Sequence, residues 1–303
     1  MKKVCAGIDI GGTNTVFGWV ESNGEFLFKG SVKTQDFEHP KALVKAVCHA
    51  LLSNLNEHEA LAVGVGAPNG NYYNGTVEFA PNLNWPDVVP LKDYFHEYFD
   101  MSVLVTNDAN AAALGEMVYG SAKGVNNFLM VTLGTGLGSG FVSNGQIIYG
   151  HDAFAGELGH VIVEENGRQC GCGRKGCLET YASATAMSLT AQELSGQQYT
   201  SSQVFEEAKK GTQWALEAFD FTAKKLGFAL ANAVAITSPR KIYLFGGLAQ
   251  AGELLFKPTK QYMEGYLLSI YKGKIEVLPS ALKGVDAAVL GASALAWKEI
   301  SLS

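Results

Sequence analysis

VCAGIDIGGTNTVFGWVESNGEFLFK (4–29) and NFLMVTLGTGLGSGFVSNGQIIY (127–149) are one pattern written twice. In the first, β-branched residues 4–10 read as a strand, Gly11-Gly12-Thr13-Asn14 breaks it, 15–21 resumes, Ser22-Asn23-Gly24 turns and 25–29 follows. In the second, 127–133 is the strand, Gly134-Thr135-Gly136-Leu137-Gly138 breaks it, 139–142 resumes, Ser143-Asn144-Gly145 turns and 146–149 follows. Asp9 to Thr132 is an offset of 123 and Ser22 to Ser143 one of 121, so the copies differ by a two-residue indel. A duplicated strand, glycine turn, strand and Asn-Gly hairpin implies two related lobes, each presenting a backbone-rich turn to a shared central cleft.

Between and after the copies, helical and strand patterns alternate, which makes the class α/β. A helix led by Pro40 carries Leu43, Val44, Val47, Leu51 and Leu55 at helical spacing, and strands are expected at 62–65 and 102–106. A short helix is expected near 93–99, and an alanine-rich helix opens at Asn107-Asp108. Helices over 178–194, 202–210 and 214–237 follow, with strands at 241–245 and 274–278. The expected division is a small lobe over 1–118, with the C-terminal helix of 287–303 packing back on it, and a large lobe over 119–286.

Glycine is high, 35 of 303 residues against a usual ~7%, and charged residues are low at 17% against ~25%. Low charge with 47% hydrophobic residues is the opposite of a disordered composition. The most apolar stretches, 226–237 and 287–297, fall short of the ~18 residues of a membrane span, and the apolar run after Met1-Lys2-Lys3 ends at Asp9, too soon for an export signal. A net charge of -6 with no run of Lys or Arg longer than two argues against nucleic acid as a partner. The expected setting is cytoplasmic, without a membrane partner.

The glycine turns suit a polyphosphate. Glycine removes the Cβ that would block approach, and successive N–H groups form an anion nest to which Thr13, Asn14 and Thr135 add donors. A lone turn of this kind would read as a tight hairpin; the duplication, and Asp9 just before the first turn, favour phosphate. Asp9 could hold Mg²⁺, which prefers carboxylate oxygen beside phosphates. Asp108 stands where a helix-capping aspartate stands, and equally where a general base could take the proton of an attacking sugar hydroxyl. His160, Cys170, Cys172 and Cys177 supply one imidazole and three thiolates, a closed structural zinc set with Gly171, Gly173 and Gly176 letting the loop wrap an ion. Glu157 and Glu179 flank that set, so zinc would fix two carboxylates able to accept sugar hydroxyls.

The strings DIGGTN (9–14), NDANAAALGE (107–116), LGTGLGSG (133–140), GELGH (156–160), CGCGRKGCLE (170–179) and LFGG (244–247) resemble, in order and spacing, the ROK family of bacterial sugar kinases and related repressors, within the hexokinase and actin superfamily. The resemblance runs from residue 4 to near the chain's end. It implies two ribonuclease-H-like, actin-like ATPase lobes and ATP-dependent phosphorylation of the 6-hydroxyl of glucose, as in glycolysis. It makes Asp108 the base and Asn107, Asp108, Glu157, His160 and Glu179 the hexose ligands. ATP, with Mg²⁺ at Asp9, would meet Gly11, Gly12, Thr13, Asn14, Thr135, Gly136, Gly246 and Gly247, and structural Zn²⁺ would sit on His160, Cys170, Cys172 and Cys177. His160 would serve twice, one ring nitrogen on zinc and the other toward the sugar.

A kinase for N-acetylglucosamine or N-acetylmannosamine shares these ligands. A sugar-sensing repressor would need an N-terminal helix-turn-helix, for which a first strand at residue 4 leaves no room. A homodimer or higher homo-oligomer is expected. Two departures from the family pattern are Gly246-Gly247-Leu248, where a third glycine is frequent, and Ala67-Pro68-Asn69-Gly70, where Pro-Gly is common.

Overall fold

The computed structural model describes residues 1–284 and 286–302. The chain forms two compact units. The first comprises Met1–Gly124, the excursion Ile147–Ala155 and the chain from Ala281 onward; the second comprises Val125–Gln146 and Gly156–Ser280.

In the first unit the expected meander is β1 (Lys3–Ile10), β2 (Asn14–Val20) and β3 (Phe26–Lys33). Pro40 opens α1 (Pro40–Ser53) at a position where its missing N–H costs nothing, and Leu43, Val44, Val47, Cys48 and Leu51 form the buried face. That face lies against β2, where Trp19 Nε1 donates to Leu51 O at 2.8 Å. Then come β4 (Glu59–Ala67), a hairpin of β5 (Val77–Glu78) and β6 (Val88–Val89), α2 (Leu91–His96), β7 (Ser102–Asn107) and α3 (Asp108–Val118). The sheet order is β3-β2-β1-β4-β7, with β1, β4 and β7 parallel and the meander antiparallel.

The second unit repeats this order. It contains β8 (Phe128–Leu133), β9 (Leu137–Ser143), β10 (Gln146–Ile147), α4 (Ala184–Ser195), α5 (Ser201–Lys209), α6 (Gln213–Thr237), β11 (Lys241–Phe245), α7 (Glu253–Tyr266) and β12 (Glu276–Pro279). Its sheet runs β10-β9-β8-β11-β12, and β8, β11 and β12 are parallel. The duplication read from the glycine turns therefore extends to whole sheets, position for position.

Two helices differ from expectation. The helix over 178–194 is a 3-10 turn, Leu178–Thr180, followed by α4, because Ser183 caps α4 by accepting from Ala186 N–H at 3.1 Å and so starts the helix late. Helix α7 was not expected at all: Pro258 stands inside it. It forms because α6 needs a partner, and the two meet at Gly227, where a Cβ would lie 2.8 Å from Met263 N and Thr259 O.

The last helix, α8 (Asp286–Leu302), belongs to the first unit and crosses β1 and β4 in backbone contact. A Cβ on Gly7 would stand 2.1 Å from Val289 O, and one on Gly64 1.9 Å from Ala292 O, so only glycine fits beneath it. The excursion Ile147–Ala155 is fastened to the same unit: Asn71 Nδ2 donates to Asp152 O at 3.2 Å, Tyr73 Oη donates to Gly150 O at 3.0 Å, and Tyr72 stacks on Tyr149 at 4.1 Å.

Candidate active site

In the first unit the parallel strands end in register, Asp9 of β1 opposite Gly66 of β4, and Gly66 opposite Thr106 of β7. Such carboxyl ends are where open α/β sheets present functional groups. Asn107, ending β7, is the N-cap of α3, its Oδ1 accepting from Ala109 N–H at 2.9 Å. Asp108 is therefore the first helical residue and not the cap; its Oδ1 accepts from the same N–H at 2.7 Å. A carboxylate there meets the positive end of the helix dipole.

Gly66 separates the two acids. A Cβ on it would lie 3.6 Å from Asp9 Oδ1 and 3.8 Å from Asp108 Cα. Burial, and then the charge of Asp108, push the Asp9 carboxyl up to about 7. Asp108 keeps a solvent-accessible edge, but the protein packed around its carboxyl withholds hydration and raises its pKa, opposed by the bonds from Ala109 N–H and its own N–H. Two adjacent acids that resist ionising suit a divalent cation, which would relieve both.

The first glycine turn follows Asp9. Gly11 N–H donates to Asn14 O at 3.0 Å, and Thr34 N–H to Thr13 O at 2.9 Å, leaving Thr13 and Asn14 exposed at the tip. A Cβ on Gly12 would stand 2.6 Å from Asn82 O, so the loop behind the turn admits only glycine. At the departure near Pro68, Asn69 adopts φ 52° and its Nδ2 donates to Phe79 O at 3.0 Å. Asparagine tolerates this left-handed backbone, which explains why Asn69 can stand in place of glycine.

In the second unit the corresponding turn is anchored by a side chain. Leu137 N–H donates to Glu179 Oε2 at 2.9 Å, Ala184 N–H to Gly134 O at 2.8 Å, and Thr185 Oγ1 to Thr135 O at 2.8 Å. A Cβ on Gly136 would stand 2.3 Å from Glu179 Oε2. Beside Thr135 a cavity of about 690 Å³ opens, lined among others by Thr185, Ser188, Gln192, Tyr199 and Gln203; no sequence signal announces it, because its walls come from one face of α4, the connection after it and the start of α5. Gly246, at φ 105°, passes so close to β8 that a Cβ would stand 2.5 Å from Leu133 O, whereas Gly247 is exposed with open space around it.

Glu179 also belongs to the cysteine loop. It follows Cys177 in the 3-10 turn, and its Oε1 lies 3.9 Å from Cys170 Sγ. The ligand atoms of His160, Cys170, Cys172 and Cys177 all lie within 4.8 Å of one another. Cys170 Sγ is 3.7 Å from His160 Nδ1, and Cys172 Sγ is 3.6 Å from Cys177 Sγ. Zn–S bonds of ~2.3 Å in a tetrahedron separate sulfurs by roughly 3.8 Å, so the donors fit zinc with no place left for water. A backbone N–H at Arg174 leads in holding the Cys172 thiol down to about 6, whereas burial pushes Cys177 up to about 12; a dication is what lets all three ionise.

With Nδ1 on the metal side, His160 Nε2 faces Glu157 Oε2 at 3.9 Å. The loop is pinned by Arg174, which donates to His160 O at 2.8 Å, and by Gly176, at φ 77°, where a Cβ would strike Glu164 O. The first unit thus gathers Asp9, the turn 11–14, Asn107 and Asp108, and the second gathers Thr135, Gly136, Glu157, His160, the three cysteines, Glu179, Gly246 and Gly247. The tie between Glu179 and the second turn joins partners 42 residues apart, and no sequence signal announces it.

The chain belongs to the ROK family, whose model matches residues 5–299. It is 37% identical over 306 residues to a glucokinase of Halalkalibacterium halodurans, covering 94% of this chain and 92% of that one. It is 32% identical over 238 residues to a xylose repressor of Bacillus spizizenii, covering 78% of this chain and 60% of the repressor. Among solved structures it is similar to a ROK family glucokinase from Streptomyces griseus in complex with glucose and AMPPNP, with a TM-score of 0.82 and 32% identity over 97% of this chain and 99% of that one. The actin-like ATPase fold expected from the sequence is the fold of this chain.

Proposed function

We propose that this protein is a glucokinase, transferring the γ-phosphoryl group of ATP to the 6-hydroxyl of glucose. The observation that carries the reading is the pair of acids at the strand ends, Asp108 at a helix N-terminus with Asp9 beside it. The whole-length likeness to glucokinases supports glucose over N-acyl hexosamines.

Asp108 takes the proton that the 6-hydroxyl loses on attack; burial raises its pKa, which strengthens the carboxylate as a base. Asn107, Glu157, His160 Nε2 and Glu179 hold the sugar, with Glu157 orienting the imidazole. The N–H groups of the two glycine turns, with Thr13, Asn14 and Thr135, cradle the phosphates, and Gly247 leaves room for the nucleotide. The cavity beside Thr135 takes the nucleoside. Asp9 would hold Mg²⁺, which supplies positive charge to the polyphosphate, and zinc on His160 and the three cysteines would keep Glu157, His160 and Glu179 in place.

A cytoplasmic setting and homo-oligomeric assembly go with this reading; light scattering of the purified protein tests the latter. The reaction is tested by coupled ADP release across hexoses and N-acyl hexosamines. Glucose is expected to give the highest kcat/KM. A higher value for N-acetylglucosamine or N-acetylmannosamine overturns the substrate, and glucose binding without turnover moves the protein to the sugar-sensing regulators.

A further inference from the structure

Glu116 is a carboxylate with no exposed surface, in the last turn of α3, and none of the chemistry above uses it. Burying a charge is costly unless hydrogen bonds compensate it. Here Oε1 accepts from Ser121 N–H at 2.8 Å, from Ser121 Oγ at 2.7 Å and from Ala281 N–H at 3.1 Å. Gly120 makes the room: a Cβ there would stand 2.5 Å from Glu116 Cδ.

The positions of these donors are informative. Ser121 lies just before the chain first leaves the first unit at Gly124, and Ala281 is the residue at which it returns for the last time. The outgoing segment leads into β8 and the second glycine turn, while the incoming one follows directly from β12. One buried oxygen therefore grips two of the four covalent connections, the first to leave the unit and the last to return, at the C-terminal end of α3, whose N-terminal end, about 16 Å away, is Asp108. Capping a helix end does not require a buried charge; holding two segments distant in sequence to one point gives the charge a task.

We propose that Glu116 is a positioning residue of the phosphoryl transfer: it fixes the first outgoing and the last returning connection to the helix that carries Asp108, so that the base is presented at a constant place. This rests on the reading of Asp108 as the base. The test compares Glu116→Gln, in which an amide replaces charge-assisted bonds with weaker neutral ones, with wild type and with Leu114→Val, a control that trims the same helix in the core. Amide exchange at Ser121 and Ala281 is expected to rise about fivefold in Glu116→Gln, since opening there no longer breaks charged bonds. Turnover should fall about tenfold, with KM for sugar and ATP within about twofold, because misplacing a reacting group by a fraction of an ångström is paid in kcat.

Unchanged exchange at both amides overturns the proposal. So does kcat within about twofold of wild type, or a fall that Leu114→Val reproduces at equal loss of thermal stability. Should Glu116→Gln fail to fold, Ser121→Ala removes one donor only and is read the same way, with an expected fall of about threefold. A wild-type protein that phosphorylates no sugar defeats the glucokinase reading and the catalytic role built on it, and the exchange data separately decide whether Glu116 grips both segments.

Discussion

The two glycine turns end matching strands of matching sheets, yet different things hold them. The turn after β1 rests on backbone, with Asn82 O filling the space behind Gly12. The turn after β8 hangs on Glu179, a side chain rooted beside Cys177. Duplication has copied the strand frame and left the attachments to diverge. As a result the candidate base occurs only in the first copy, and the carboxylates tied to the cysteine loop only in the second.

The widest gap between the copies should open at Asp108. In Asp108→Asn the amide still bonds sugar but cannot accept a proton, so kcat is expected to fall by ~10²- to 10⁴-fold with sugar affinity largely kept, as calorimetry would show. Turnover within about threefold of wild type would remove Asp108 from the chemistry.

Breaking the second copy's attachment should leave the first copy untouched. The purified protein is expected to contain one zinc per chain by elemental analysis, and Cys172→Ser should raise KM for hexose by roughly 10- to 100-fold, with nucleotide binding retained. Active enzyme without zinc, or unchanged sugar kinetics in the variant, would cut the link between the cysteines and the sugar.

The acids of the first copy sharpen the comparison through pH. An ordinary aspartate titrates near 3.8 and Asp9 near 7, so as pH rises between these values the unfolded chain gives up its proton while the folded chain keeps it, and stability falls. Asp9→Asn removes that cost. It should be more stable than wild type by about 4 kcal/mol at pH 8 without Mg²⁺, and most of the difference should be gone near pH 4 in thermal melts. A difference independent of pH would place Asp9 in a less buried setting.

The smallest contrast lies within a single turn. Gly136→Ala must displace Glu179, and about a tenfold rise in sugar KM is expected. Gly134→Ala meets no atom within 4 Å and should stay within about twofold of wild type.

The strand frame was legible because it is local: alternation, glycine breaks and Asn-Gly hairpins all fall within a few residues, and the repeat doubled the signal. The cysteine set was legible for the same reason, its three thiols lying within eight positions. Helix α7 was hidden by Pro258, and the late start of α4 by the capping bond of Ser183, which competes with a continuous apolar pattern. The ties of Glu179 to Leu137 and of Glu116 to Ala281 could not be read at all, since each joins residues that only the folded chain brings together. Asn69 looked like a departure until its backbone angle showed it doing a glycine's work.

Helix α8 lies at the end of the chain and covers β1 and β4, which lie near its beginning. During synthesis the second unit has all its residues once Ser280 has emerged, while the older sheet still waits for its cover with Gly7 and Gly64 bare. The order of completion is thus the reverse of the order of translation. The unit begun first is finished last, and a chain cut short before Asp286 lacks the helix that covers β1 and β4.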